Sequence, residues 1–265
     1  MSGITLTHLN DLKQRGEKIA VLTSYDASFT QRIERAGAEV ILVGDSLGMV
    51  IQGHESTLPV TMDDMVYHCR NVARARERAF LIADMPFMSY GSPQQALDNA
   101  GRLMQEGFAH MVKLEGGRVQ LDSVHLLSEH EIPVCAHLGL TPQSVHKLGG
   151  FRVQGRAPEA AQAILDDALS LQQAGAQMLV LECVPASLGA AVSLELSIPV
   201  IGIGAGVDCD GQVLVVYDAL GISVGHAPRF ARDFVAGANS VQQALEHFVA
   251  AVKSGAFPNQ DESYT

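Results

Sequence analysis

Short, unbroken apolar runs alternate with longer amphipathic stretches along the whole chain. Residues 19–23, 40–45, 79–84, 110–115, 132–137, 177–182 and 198–202 are rich in Val, Ile and Leu and lack polar alternation, which predicts strands buried on both faces. An eighth strand is placed at 220–224. Between the strands lie helices with readable ends. Thr61 with Asp64 forms a capping box ahead of a helix reaching about residue 78, and Ser92 with Pro93 opens one that stops near Gly107. Pro158 opens a third that closes at Gly175, and 241–254 is a final helix. Residues 6–16 predict an extra helix ahead of the first strand, set to cover the barrel floor. Strand and helix in regular alternation imply a parallel sheet, and eight such units fit a closed (β/α)8 TIM barrel with an extra N-terminal helix.

Three units repeat one pattern. Ala36-Gly37-Ala38 leads through a strand to Asp45, Glu106-Gly107-Phe108 to Glu115, and Ala174-Gly175-Ala176 to Glu182. Each predicts a glycine helix cap, then a strand, then an acid at the strand's C-terminal end. Ile132-Pro133-Val134 and Ile198-Pro199-Val200 put proline at a strand start, where it costs no ladder bond.

Composition narrows the reading. The 265 residues contain no linker-like or low-complexity tract, so residues 1–265 are expected to form a single barrel domain. Eighteen Lys and Arg against 29 Asp and Glu leave a net charge of -11, which argues against nucleic acid or an anionic membrane as partner. No apolar run approaches the ~18 residues of a membrane span and the first ten residues do not read as a signal peptide, so a cytoplasmic protein is expected. The four cysteines, Cys69, Cys135, Cys183 and Cys209, form no CxxC pair. Those at 135 and 183 read as small buried hydrophobes.

The acids change the picture most. Asp45, Asp84, Glu115 and Glu182 each close an apolar run, as does His137. In a parallel barrel all strand ends gather at one mouth, where barrel enzymes keep their chemistry. Carboxylates crowded there repel one another unless a hard divalent cation joins them. Taken singly, each acid is also explained as a helix cap. Lys113 shares a strand face with Glu115 and reads either as a substrate contact or as a structural ion-pair partner. His137 reads as a hydrogen-bond donor to substrate or as a core histidine, and Ser46 as a cap of the next helix. The loop Gly202-Ile203-Gly204-Ala205-Gly206 fits an anion cradle and a tight turn equally well.

Longer motifs carry a resemblance. Val43-Gly44-Asp45-Ser46-Leu47-Gly48-Met49, Ala83-Asp84-Met85-Pro86-Phe87-Met88, Val112-Lys113-Leu114-Glu115-Gly116-Gly117, His137-Leu138-Gly139-Leu140-Thr141-Pro142-Gln143-Ser144 and Leu181-Glu182-Cys183-Val184-Pro185 stand in order along the chain. With 53–61, 149–156, 201–206 and 210–215 they resemble the ketopantoate hydroxymethyltransferase family over nearly the whole length, while the tail after Pro258 carries no motif. The resemblance implies a metal, generally Mg2+ with other divalent ions possible, on Asp45, Asp84 and Glu115, and Glu182 as catalytic base. It implies that Asp45, Ser46, Asp84, Lys113 and His137 meet a small 2-oxo acid. It further implies 5,10-methylenetetrahydrofolate as co-substrate, pantothenate biosynthesis as the setting and a homo-oligomer, commonly a decamer. Two other readings stand beside it: a lyase or mutase of the phosphoenolpyruvate mutase/isocitrate lyase superfamily, whose Lys-Lys-Cys-Gly-His stretch is missing here, and a non-catalytic barrel, which would need no general base.

Overall fold

The computed structural model describes residues 3–265 other than Val224 and His226. Eight parallel strands pair in chain order: β1 (Ile19–Thr23), β2 (Val40–Val43), β3 (Phe80–Asp84), β4 (Met111–Glu115), β5 (Val134–Gly139), β6 (Met178–Glu182), β7 (Val200–Ile203) and β8 (Gly211–Leu214). Ile19 lies opposite Gly211 and Val21 opposite Val213, so β8 returns to β1 and the sheet closes into the expected (β/α)8 barrel. All but the last residues of β5 and β6 are buried. One face of each strand fills the barrel and the other lies under helices, which is why the runs carry no polar alternation. Pro133 and Pro199 stand just before β5 and β7, and their carbonyls still accept from Val112 N and Leu179 N at 3.0 and 2.9 Å.

The helix signals act as read. Thr61 Oγ1 accepts from Asp64 N at 3.2 Å while Asp64 Oδ2 accepts from Thr61 N at 2.9 Å. That helix, Met62–Ala75, ends before residue 78 because Arg76 turns extended. Ser92 caps Pro93–Gln105 through Gln95 N at 3.3 Å, and helices Pro158–Gln173 and Val241–Lys253 follow. The extra helix, Leu6–Gln14, buries Leu9 and Leu12 and sends Lys13 Nζ to Asp210 Oδ2 at 2.6 Å and Ser193 O at 2.8 Å. Asp210 also accepts from Val200 N at 2.8 Å. The helix therefore sits at the strands' N-terminal ends and forms the floor.

Two expectations fail. The eighth strand is not at 220–224: Leu220 closes a short helix, Val216–Ala219, and Gly221 turns left-handed at φ 64, with Val224 outside the described residues. The true β8 begins Gly-Gln, which looks like a turn. Yet a Cβ at Gly211 would stand 2.4 Å from Ile19 O, so the approach of β1 demands glycine there. Gln212 is buried because its Nε2 donates to Gly206 O at 2.9 Å. In the repeated caps, Gly37 and Gly175 are left-handed, but in the middle unit Phe108 takes that conformation at φ 59. Gly107 is there for space, since a Cβ would meet Leu103 O at 2.6 Å.

Gly211→Ala should therefore wedge the β1–β8 seam and lower stability by about 1–3 kcal/mol, measured as a fall in the urea midpoint at unchanged slope. An unchanged midpoint would mean that the seam is not tightly packed.

Candidate active site

Every acid foreseen at a strand end lies at the C-terminal mouth, and all seven expected residues line one cavity of about 560 Å3. The register explains the grouping: Asp84 stands beside Lys113, Glu115 beside His137, and Gly139 beside Glu182 on successive strands. Asp45 is reached after β2 has ended, and Asp45 N donates to Asp84 Oδ2 at 3.0 Å. Ser46 begins a single helical turn, but its hydroxyl makes no cap bond and pairs with Tyr25 OH at 2.8 Å. Glu182 is followed by Cys183 at φ 47, a strained conformation for a side-chain-bearing residue.

A line of polar contacts crosses the mouth. Lys113 Nζ lies 3.0 Å from Asp84 Oδ1 and 3.1 Å from His137 Nδ1. The other ring nitrogen, Nε2, is 3.3 Å from Glu182 Oε2 but not aligned for a hydrogen bond, and Glu115 Oε1 lies 3.5 Å from Nδ1. Because an ammonium can only donate, a neutral His137 accepts at Nδ1 and carries its proton on Nε2, facing Glu182.

Burial and like charge set the titration. Burial would lower the Lys113 pKa, but Asp84, Glu115 and Asp45 outweigh it and hold the ammonium above the usual lysine range. Burial, then the charges of Asp84 and Glu115, raise Asp45 well above the usual carboxylate range. Burial lifts Glu115 to about 7 and also raises Glu182. Burial and the Lys113 charge lower His137, keeping it neutral. Four carboxylates share one lysine, and among the described residues Glu115 Oε1 and His137 Nε2 are buried without a hydrogen-bond partner. Crowded hard oxygen donors, with Glu115 Oε1 unpartnered and Asp45 and Glu115 pushed toward protonation, are the surroundings a divalent cation would relieve. Among the described residues no three His, Cys, Asp or Glu side chains form a ready-made ion cage. Mg2+ seldom uses one, since it usually keeps water and substrate oxygens beside one or two protein carboxylates.

Sequence reasoning missed the residue that ties the acids together. Gln143, in the turn after β5, donates from Nε2 to Asp45 Oδ2 at 2.8 Å and to Met85 O at 2.9 Å, while its backbone N donates to Glu115 Oε2 at 3.0 Å. Tyr90 OH donates to Gln143 Oε1 and accepts from Glu115 N at 3.4 Å. Gln143 lies inside one of the quoted motifs, but no periodicity marks an irregular turn. The Gly202–Gly206 loop, an anion cradle on one reading, is filled by protein: space at Gly204 is taken by Phe230 and Tyr264, and space at Gly206 by Ala186. His54 is exposed in its loop, and all four cysteines are free and buried.

The ketopantoate hydroxymethyltransferase family profile matches residues 3–260. The chain is 60% identical over 264 residues to the 3-methyl-2-oxobutanoate hydroxymethyltransferase of Nitrosococcus oceani, covering 100% of both chains. It is 57% identical over 261 residues to 3-methyl-2-oxobutanoate hydroxymethyltransferase 2 of Hahella chejuensis, covering 98% of each. Among solved structures it is similar to phosphonopyruvate hydrolase, with a TM-score of 0.63 at 12% identity over 83% of this chain and 84% of that one. It is also similar to 2,3-dimethylmalate lyase, a PEP mutase/isocitrate lyase superfamily member, with a TM-score of 0.57 at 16% identity over 83% and 84%. These two likenesses concern the fold.

The raised Glu115 pKa has a measurable consequence. Between about pH 4.5 and 7 the folded protein holds a proton on Glu115 that the unfolded chain has released, so stability falls as pH rises through that window. In chelator-treated protein the fall should be about 1–3 kcal/mol, and Glu115→Gln should flatten it. Urea midpoints of the two proteins at pH 5 and 7.5 check this; equal slopes would show that Glu115 is ionised throughout.

Proposed function

The chain belongs to the ketopantoate hydroxymethyltransferase family, and from that premise we propose that it transfers a hydroxymethyl group from 5,10-methylenetetrahydrofolate to 3-methyl-2-oxobutanoate. With one water, the products are 2-dehydropantoate and tetrahydrofolate, a step of pantothenate synthesis. The observation that carries the reading is the polar line Asp84–Lys113–His137–Glu182, which joins a crowded carboxylate group to a single acid across the mouth.

Asp45, Asp84 and Glu115 fit a divalent cation and would hold it together with water and substrate oxygens. When bound, Mg2+ or a similar ion supplies Lewis acidity toward the oxo and carboxylate oxygens of the substrate, worth several kcal/mol. The chain's own groups do the rest. Lys113 and His137 face the substrate's oxygens from the barrel wall, with Ser46 beside Asp45. Glu182 takes the C3 proton, and its raised pKa makes it a stronger base than an exposed glutamate. The charge left on the oxo oxygen is met by the Lys113 ammonium and the His137 Nε2 proton. C3 then bonds to the folate's methylene carbon. Over the whole transfer that carbon's two bonds to folate nitrogens break, and water supplies the oxygen of the new hydroxymethyl group. The two nitrogens take up the C3 proton and one proton of the water. A cytoplasmic location and assembly into a homo-oligomer belong to the same proposal, with Tyr67, Phe108 and Leu194 as exposed apolar residues that subunit contact would cover. Among the described residues no helix is long and apolar enough to cross a membrane.

Two measurements test this. Binding of Mg2+ should stabilise the fold by about 2.7 kcal/mol at a hundredfold excess over its Kd, seen as a rise in Tm that Asp84→Asn abolishes; an equal rise in the variant would take Asp84 out of the metal site. Proton NMR in D2O should show exchange of the C3 hydrogen of 3-methyl-2-oxobutanoate with Mg2+ and without folate. Glu182→Gln keeps the shape but cannot accept the proton, so exchange should fall about 10^2-fold or more. Exchange at the parent rate would remove Glu182 as base.

A further inference from the structure

The cavity is larger than the oxo acid needs. The eight heavy atoms of 3-methyl-2-oxobutanoate take at most ~240 Å3 even at the ~30 Å3 each that a liquid water occupies, and the cavity holds about 560 Å3. Asp45, Asp84, Glu115 and Lys113 line the side formed by β2, β3 and β4. The side formed by β6 and β7 is different: Cys183, Ile203, Phe230 and Tyr264 line it, with Arg229.

Tyr264 reaches that wall from the segment 259–265, which folds back over the end of β6. Tyr264 O accepts from Ala186 N at 2.8 Å, and Pro185 and Tyr264 form an isolated parallel bridge. Two residues earlier, buried Glu262 binds Arg232 through both oxygens at 2.6 Å and accepts from Asn259 N at 2.8 Å. Arg229 Nε donates to Asp261 O at 2.9 Å, and the Arg229 guanidinium lies over the Tyr264 ring, 5.5 Å from its centroid. Apart from the contact between Arg229 and the Tyr264 ring, these anchors use backbone atoms and the side chains of Glu262, Arg229 and Arg232. The Tyr264 ring is only partly buried and is presented to the cavity. Gly204 makes room for it: a Cβ there would stand 2.9 Å from Phe230 and 3.0 Å from Tyr264. Three separated parts of the chain thus converge to set two aromatic rings beside the strand that carries Glu182.

We propose that Tyr264 and Phe230 form the stacking wall of a subsite for the flat heteroaromatic ring of the folate co-substrate, with Arg229 at the rim facing its anionic glutamyl tail. The inference rests on the function proposed above and adds to it the residues that bind the one-carbon carrier. A ring stacked there lies next to Glu182, so its methylene carbon can approach C3 as the proton leaves. An exposed cation at this rim also offers a folate carboxylate an attractive approach on a chain whose net charge is -11.

Two readouts on the full-length protein separate this subsite from the reaction itself: the Kd for tetrahydrofolate by titration calorimetry, and C3 exchange in D2O with Mg2+ and no folate. Tyr264→Ala should weaken tetrahydrofolate binding about tenfold, as loss of one stacking ring does, with the exchange rate changed less than twofold. Tyr264→Leu, which keeps apolar bulk, should weaken binding severalfold, and Tyr264→Phe should stay within about threefold of the parent. Parent-like Kd values in both the Ala and Leu variants would overturn the subsite, as would exchange falling in step with binding, since that marks a structural residue. A parent protein that neither exchanges the C3 hydrogen nor binds tetrahydrofolate would overturn the proposed function as well.

Discussion

One ammonium buried among carboxylates holds the mouth of this barrel together. Lys113 is 3% exposed, yet it sits within reach of Asp84 and His137 and is held protonated by three acids. Removing such an ion from water costs several kcal/mol, and only close partners repay it. The barrel supplies them because neighbouring parallel strands deliver their ends at one level. The same neighbours then exceed what one lysine can neutralise, and the surplus negative charge is what makes the site receptive to a cation, while burial raises the pKa of Glu115 and Glu182.

Much of this was legible from residue order. Buried parallel strands leave unbroken apolar runs, and a polar residue closing such a run in a parallel barrel stands at the mouth, so the positions of Asp84, Glu115, His137 and Glu182 are legible in the sequence. Strand edges were less legible, because the first residues of a run often serve as the turn: 132–133 and 198–199 precede β5 and β7. β8 was missed for a stronger reason. Its glycine and glutamine are dictated by the approach of β1 and by a hydrogen bond to the Gly206 carbonyl, both tertiary facts.

The unread part of the site has the same origin. Gln143 owes its role to Asp45 and Glu115, which are 98 and 28 residues away, and Tyr90 owes its role to Gln143 and the Glu115 backbone. Tyr264 lies in a tail whose composition is unremarkable, and its position depends on an ion pair between Glu262 and Arg232. Such residues have no periodic signature because irregular backbone holds them. The distant structures at 12–16% identity share the barrel despite so little in common, in keeping with a scaffold specified by apolar pattern and a chemistry specified by a few strand-end and loop residues.

The seam between β1 and β8 shapes how this chain must be made. Ile19 meets Gly211, and Lys13 of the floor helix meets Asp210, across about 190 residues. At roughly 5–20 residues per second of synthesis, β1 waits about 10–40 s for its partner. Through that interval the growing sheet has two open edges, each with unpaired backbone groups and bare apolar faces that can pair with another chain. Long-range closure of this kind also slows folding after release. The nascent protein is therefore most exposed to aggregation just before its last strand emerges, and that hazard ends when the floor helix and β8 lock together.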